Sequence, residues 1–102
     1  MNIYWSFFAL ETLSELHEFI SQKSEVAADK YVDGIMESVN KLQKHPEACG
    51  ACRNLKFKAV GYRCCKYKNH IIVYTIEQNQ VNIRAVIHAR RNLDQAFEAL
   101  DL

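Results

Sequence analysis

A single proline and three glycines in 102 residues leave no room for a Pro-rich arm, a flexible Gly/Ser linker or a low-complexity segment. No run approaches the roughly 20 apolar residues needed to cross a bilayer. The apolar start, MNIYWSFFALETL, has no basic leader and is broken by Glu11 and Glu15, so no secretory signal is expected. The expectation is a cytoplasmic chain without membrane contact. Net charge is small too, at +1, which argues against indiscriminate coating of nucleic acid. What is present is 49% hydrophobic and 25% charged residues, the composition of a folded chain. That length supports one two-layer core, so 1–102 reads as a single domain.

The charge is unevenly placed. Residues 1–47 carry four lysines against eight acids, and residues 94–102 carry three acids and no Lys or Arg. Between them, Arg53, Lys56, Lys58, Arg63, Lys66, Lys68, Arg84, Arg90 and Arg91 face Glu77 alone. Such asymmetry within one small domain points to a basic face able to receive RNA, DNA or an acidic peptide. The plainer alternative is a solvated strand edge guarded by lysines.

IYWSFF, residues 3–8, reads as a strand. Thr12 and Glu15 have the spacing of a capping box, and Leu13, Leu16 and Ile20 form the apolar stripe of a first helix. Ser24 can cap a second helix carrying Ala28, Tyr31, Ile35, Val39 and Leu42 at helical spacing, which His45-Pro46 ends. The two form a helical hairpin. After the loop EACGACRN come four strand-like runs, LKFKAV, GYRCCKYK, HIIVYTIE and QVNIRAVIHA, from which a three-stranded antiparallel meander is the simplest outcome. Leu93, Ala96, Phe97 and Leu100 give a short C-terminal helix. The fold class is α+β, in the order β-α-α-β-β-β-α.

If both long helices cover one face of the sheet, the other face is open. A two-residue period in the last strand puts Val81, Ile83, Ala85 and Ile87 on the core face, and Arg84 and His88 together on the opposite one, just before Arg90 and Arg91. Whether His70 and Tyr74 or Val73 and Thr75 neighbour Arg84 depends on strand register, which the sequence leaves open.

Cys49 and Cys52 form a C-x-x-C in a loop, and Cys64 and Cys65 are adjacent. Neighbouring strand residues point to opposite faces, so the four do not readily serve one zinc, and no metal is expected. A Cys49–Cys52 bridge is the other option, but cytosolic thiols stay reduced. The expectation is four free thiols, with Cys64 or Cys65 buried as a small hydrophobe.

LQKHPE closing the hairpin, GYR before the meander, then H-x-I-x-Y (His70, Ile72, Tyr74) and VNIRAVIHARR (81–91) occur in sequence. In this order, the chain resembles the ParE branch of the RelE/ParE superfamily of bacterial toxin–antitoxin toxins, the plasmid stabilisation proteins. The resemblance spans nearly the whole chain. It implies a cognate antitoxin whose C-terminal segment wraps the toxin and whose N-terminal part binds operator DNA, so that DNA is met only through the antitoxin, in a hetero-oligomer. It also implies a toxin that inhibits DNA gyrase by binding. Members usually follow HARR with Asp, where this chain has Asn92.

RelE-like relatives are instead ribosome-dependent endonucleases of mRNA. On that alternative, His88, Arg90 and Arg84 would supply the proton transfer and the cationic stabilisation that RNA cleavage needs. The RelE pattern, however, has arginine where this chain has Ile71, and an aromatic acid–base residue in the C-terminal segment, where NLDQAFEAL has Phe97 but no Tyr or His. A binding toxin without catalytic residues or cofactor is therefore expected, with an inactive antitoxin-binding remnant as a further alternative. Arg63, Lys66, His70, Tyr74, Arg84, His88, Arg90 and Arg91 are the residues expected to meet target or antitoxin. For His88 the plainer role is a strand-end histidine hydrogen-bonded to backbone.

Overall fold

The computed structural model describes residues 1–100. Strand β1 is short, Asn2–Trp5, because Ser6 turns extended and its hydroxyl accepts the Ala9 N–H at 3.0 Å, capping helix α1 (Phe7–Ser21). The helix thus begins well before the Thr12-x-x-Glu15 box expected to start it, and Phe7 and Phe8 are helical. After Gln22-Lys23, Ser24 caps α2 (Glu25–Lys41) as expected, accepting from Ala27 N–H.

The run LKFKAV is also helical. Asn54 accepts the Lys56 and Phe57 N–H groups and starts α3 (Leu55–Ala59), which buries Phe57 and leaves Leu55 exposed. A strong local cap outweighed an apolar alternation too short to select a strand. Strands β2 (Arg63–Tyr67), β3 (His70–Glu77) and β4 (Gln80–His88) form the antiparallel meander. Gln78 and Asn79 both take positive φ, 51° and 61°, as a two-residue hairpin turn demands. Asn92 then caps α4 (Leu93–Ala99) by accepting the Gln95 N–H, a role open to Asn and Asp alike.

The sheet order is β1-β4-β3-β2, with β1 parallel to β4. β1 pairs only with Gln80–Ile83, and beyond it Ser6 and Thr12 hydrogen-bond to that edge of β4 at Arg84 and Val86. Ser6 Oγ donates to the Arg84 carbonyl, and the buried Thr12 Oγ1 accepts the Val86 N–H at 3.0 Å while donating to the Ala9 carbonyl at 2.7 Å.

In β4 the two-residue alternation breaks. Val73 pairs with Ala85 but Tyr74 with Ile83, so Arg84 is the extra residue of a β-bulge. Val81, Ile83 and Val86 consequently pack with Ile35, Val39 and Tyr74 under the helical hairpin. Ala85 and Ile87 pack on the other side with Phe57, Tyr62 and Ala96. The single core face expected for Val81, Ile83, Ala85 and Ile87 is therefore two half-faces. Nor is the second face open, because α3 and α4 cover part of it. They are tied to each other by Asn54 Nδ2 to Asp94 Oδ1 and Lys56 Nζ to Glu98 Oε1, both 2.9 Å.

All four cysteines are bridged, Cys49 to Cys65 and Cys52 to Cys64, in place of the expected free thiols. The adjacency that argued against a shared metal explains the result. Cys65 points under the hairpin and Cys64 to the other side, so the Cys49–Cys52 loop grips β2 from both faces.

Candidate contact surface

Arg63, Tyr74, Arg84 and His70 of the expected set are engaged within the fold. Arg63 and Tyr74 are directly opposite on β2 and β3. Arg63 Nη1 donates to the Cys49 carbonyl at 2.7 Å, while the Tyr74 hydroxyl donates to the Pro46 carbonyl at 2.7 Å. Tyr74 is fully buried, and burial pushes its phenol pKa up. Both side chains anchor the loop before β2. Arg84 reaches Thr75 Oγ1 and Glu77 Oε2, each at 3.3 Å, which resolves its neighbour as Thr75.

His70 and His88 are paired across β3 and β4 with ring centroids 5.0 Å apart, on the hairpin side. His70 is buried, and burial, then the adjacent His88, hold its pKa below the ordinary value. The Tyr31 hydroxyl and His70 Nδ1 are hydrogen-bonded at 2.7 Å, and burial pushes the Tyr31 phenol pKa up. His88 is exposed and accepts the Arg90 N–H on Nδ1, the plainer strand-end role. The Lys68 ammonium lies 5.5 Å from the centre of the Tyr67 ring and 5.7 Å from that of Tyr31.

The end of β4 is fastened to the β2–β3 turn by Ala89 N–H to the Asn69 carbonyl, 2.8 Å. Lys66, Lys68, His88, Arg90 and Arg91 thereby gather at one end of the sheet, all exposed. The ion pairs among the described residues are His17–Asp29, Lys56–Glu98 and Arg84–Glu77, so the two lysines and two arginines of this end carry no acidic partner there. Net attraction for an anionic surface follows.

Beside this end, on the second face, α3 and α4 leave a groove of about 430 Å³. Ile71, Val73 and Ile87 floor it, Phe57 and Leu93 close it at the sides, and Ala51, Cys52 and Arg53 form a wall. Lys66 stands at its margin. Sequence reasoning missed Arg53 and the apolar floor as parts of a site. The available signal was that β3 is apolar on both faces over Ile71–Thr75 while too little helix follows to cover the second face.

Arg84 and His88 do not share a surface. Thr75 and Glu77 hold Arg84 on the α3/α4 side, and His88 lies with His70 under the hairpin edge. The three groups proposed for RNA cleavage are not brought together. Among the described residues, no three metal-ligating side chains converge, and no helix is long and apolar enough to cross a membrane.

Fold and surface together define a small α+β domain that presents a cationic sheet end and an apolar groove. Residues 3–93 match the family model described as the ParE toxin of the type II toxin–antitoxin system, parDE, and the chain belongs to that family. Among solved structures it is similar to one titled as the chromosomal ParDE TA system from P. aeruginosa, with a TM-score of 0.74 at 17% identity. That match covers 88% of this chain and 97% of the other, and shows a shared fold. No curated protein matches.

Proposed function

We propose that this ParE-family toxin acts by binding, with DNA gyrase as its target, in the cytoplasm, and that a cognate antitoxin silences it. The observation that carries the reading is the separation of Arg84 from His88. They are four residues apart on β4, roughly 13 Å at strand rise, and on opposite faces, with Arg84 already paired to Glu77. General acid–base cleavage needs its groups around one phosphate, and this strand does not supply that. Ile71, in the groove floor, supports the same conclusion, since it stands where a cleaving relative would carry arginine.

The antitoxin segment fitting this surface is acidic with spaced apolar side chains, which enter the groove while its carboxylates meet Arg53, Lys66, Arg90 and Arg91. Its affinity should fall with added salt and with Lys66→Glu. Binding is separated from turnover by adding the purified toxin to a translating extract. Message is expected to stay intact; cleavage that disappears in His88→Ala or Arg90→Ala would establish the ribonuclease reading instead.

A further inference from the structure

The loop that walls the groove is held by an arrangement the binding reading does not use. Cys49–Cys65 and Cys52–Cys64 join the same two segments, from opposite faces of β2, with Cα separations of 5.4 and 4.8 Å. Between them, the segment lies along the outer edge of the sheet. Ala51 bridges to Arg63, Cys52 N–H donates to the Tyr62 carbonyl at 3.0 Å, and Cys64 N–H donates to the Gly50 carbonyl at 3.1 Å. The loop thus covers the first part of an edge strand that otherwise offers unpaired backbone groups.

Outside the bridges, the loop is held by these main-chain contacts, by the burial of Cys52 and by the side chains of Arg63 and Tyr74. Gly50, Ala51 and Arg53 are exposed, and Cys49 is held outside its bridge by the Arg63 and Tyr74 hydrogen bonds to its carbonyl. In each bridge one sulfur belongs to a half-buried residue, Cys49 or Cys64, and its partner to a buried one. Cys52 and Cys64 both line the groove, and Cys49 is half-buried, the sides from which a thiolate would approach.

We propose that the loop of residues 49–52, pinned by the two bridges, is a thiol–disulfide latch over the edge of the sheet. Closed, it caps the start of β2 and fixes the Ala51–Arg53 wall of the groove. A dithiol reductant opens it: its thiolate attacks one sulfur, a mixed disulfide forms, and the second thiol displaces the protein sulfur. Each bridge gains two electrons and two protons, giving two thiols, and the reductant leaves as a disulfide. Because both pins join the same segments, opening one leaves the loop in place, and release requires both. The open form bares the edge of β2 to strand addition and removes one wall of the groove. The latch stands independently of whether the groove receives an antitoxin.

The test is thiol counting combined with hydrogen exchange on the full chain, before and after a small dithiol. Air-oxidised protein should show no free thiol among its four cysteines, and reduction should expose all of them. Exchange at Cys52 and Cys64 should then accelerate by at least about tenfold, as expected for local opening, while β3 and β4 keep their protection. Cys49→Ser with Cys65→Ser should retain slow exchange until the remaining bridge is reduced, and so should the converse pair. Four free thiols in the oxidised protein would overturn the latch, as would unchanged exchange after reduction. Loss of protection in β3 and β4 in step with the loop would also overturn it, making the bridges staples of the whole fold.

Discussion

Arg84 and His88 occupy one strand and project from opposite faces of its sheet, because the bulge at Arg84 shifts the alternation between them. Arg84 is held by Thr75 and Glu77, and His88 stacks edge-on against His70. With no shared partner, the two should behave independently. Arg84→Ala and His88→Ala should destabilise the protein additively to within about 0.5 kcal/mol, measured by urea unfolding of the single and double variants. A coupling energy above about 1 kcal/mol would contradict the assignment to separate faces.

Thr12→Val should cost about 1–3 kcal/mol, because it leaves the Val86 N–H buried without an acceptor where β1 no longer reaches. Thr12→Ser keeps the oxygen and should retain most of the stability. A larger loss in Thr12→Ser than in Thr12→Val would show that the methyl group, and not the hydrogen bond, matters at this contact.

His70 makes stability depend on pH in a defined direction. Burial lowers its folded pKa, so the unfolded chain takes up the proton first. The contribution is complete above the ordinary histidine pKa of about 6.5, is lost as pH falls from there toward the lower folded value, and levels off below it. Unfolding free energies measured from about pH 7 to pH 5 should fall less steeply in His70→Gln than in the parent chain. The same slope in both would place the dependence elsewhere.

Gly34 lies against Tyr67. A Cβ at residue 34 would overlap the phenol oxygen and come within 2.5 Å of its ring carbon, so the ring itself must move. Tyr67 is pinned edge-on against Tyr31, with centroids 5.2 Å apart. Gly34→Ala should destabilise by about 1–3 kcal/mol despite alanine's better helix propensity. Adding Tyr67→Leu should recover part of that loss. A stabilised Gly34→Ala protein would mean that the helix and strand have room to separate.

The helical hairpin, the meander and the C-terminal helix were readable because each rests on a long periodic pattern or a clear cap. The start of α1 was misread because two serine or threonine caps compete there, and Ser6 wins by letting Thr12 turn inward to β4. The α3 helix was hidden by LKFKAV, whose alternation is compatible with a strand until Asn54 is seen to cap it. The bulge leaves no pattern in the residues themselves, since Val81, Ile83, Ala85 and Ile87 alternate without interruption. Its consequence is large, for it divides the expected Arg84–His88 surface in two. Only a Cys49–Cys52 bridge was weighed, and set aside on compartment; the observed pairs, Cys49–Cys65 and Cys52–Cys64, depend on a loop lying beside β2, which only the tertiary fold places there.

The proposal that this ParE-family chain acts by binding gyrase is tested most directly by a gyrase supercoiling assay with the purified chain. Supercoiling should stall as toxin is added, and cleaved DNA should accumulate, with activity restored on addition of the antitoxin. Normal supercoiling at excess toxin would contradict gyrase as the target.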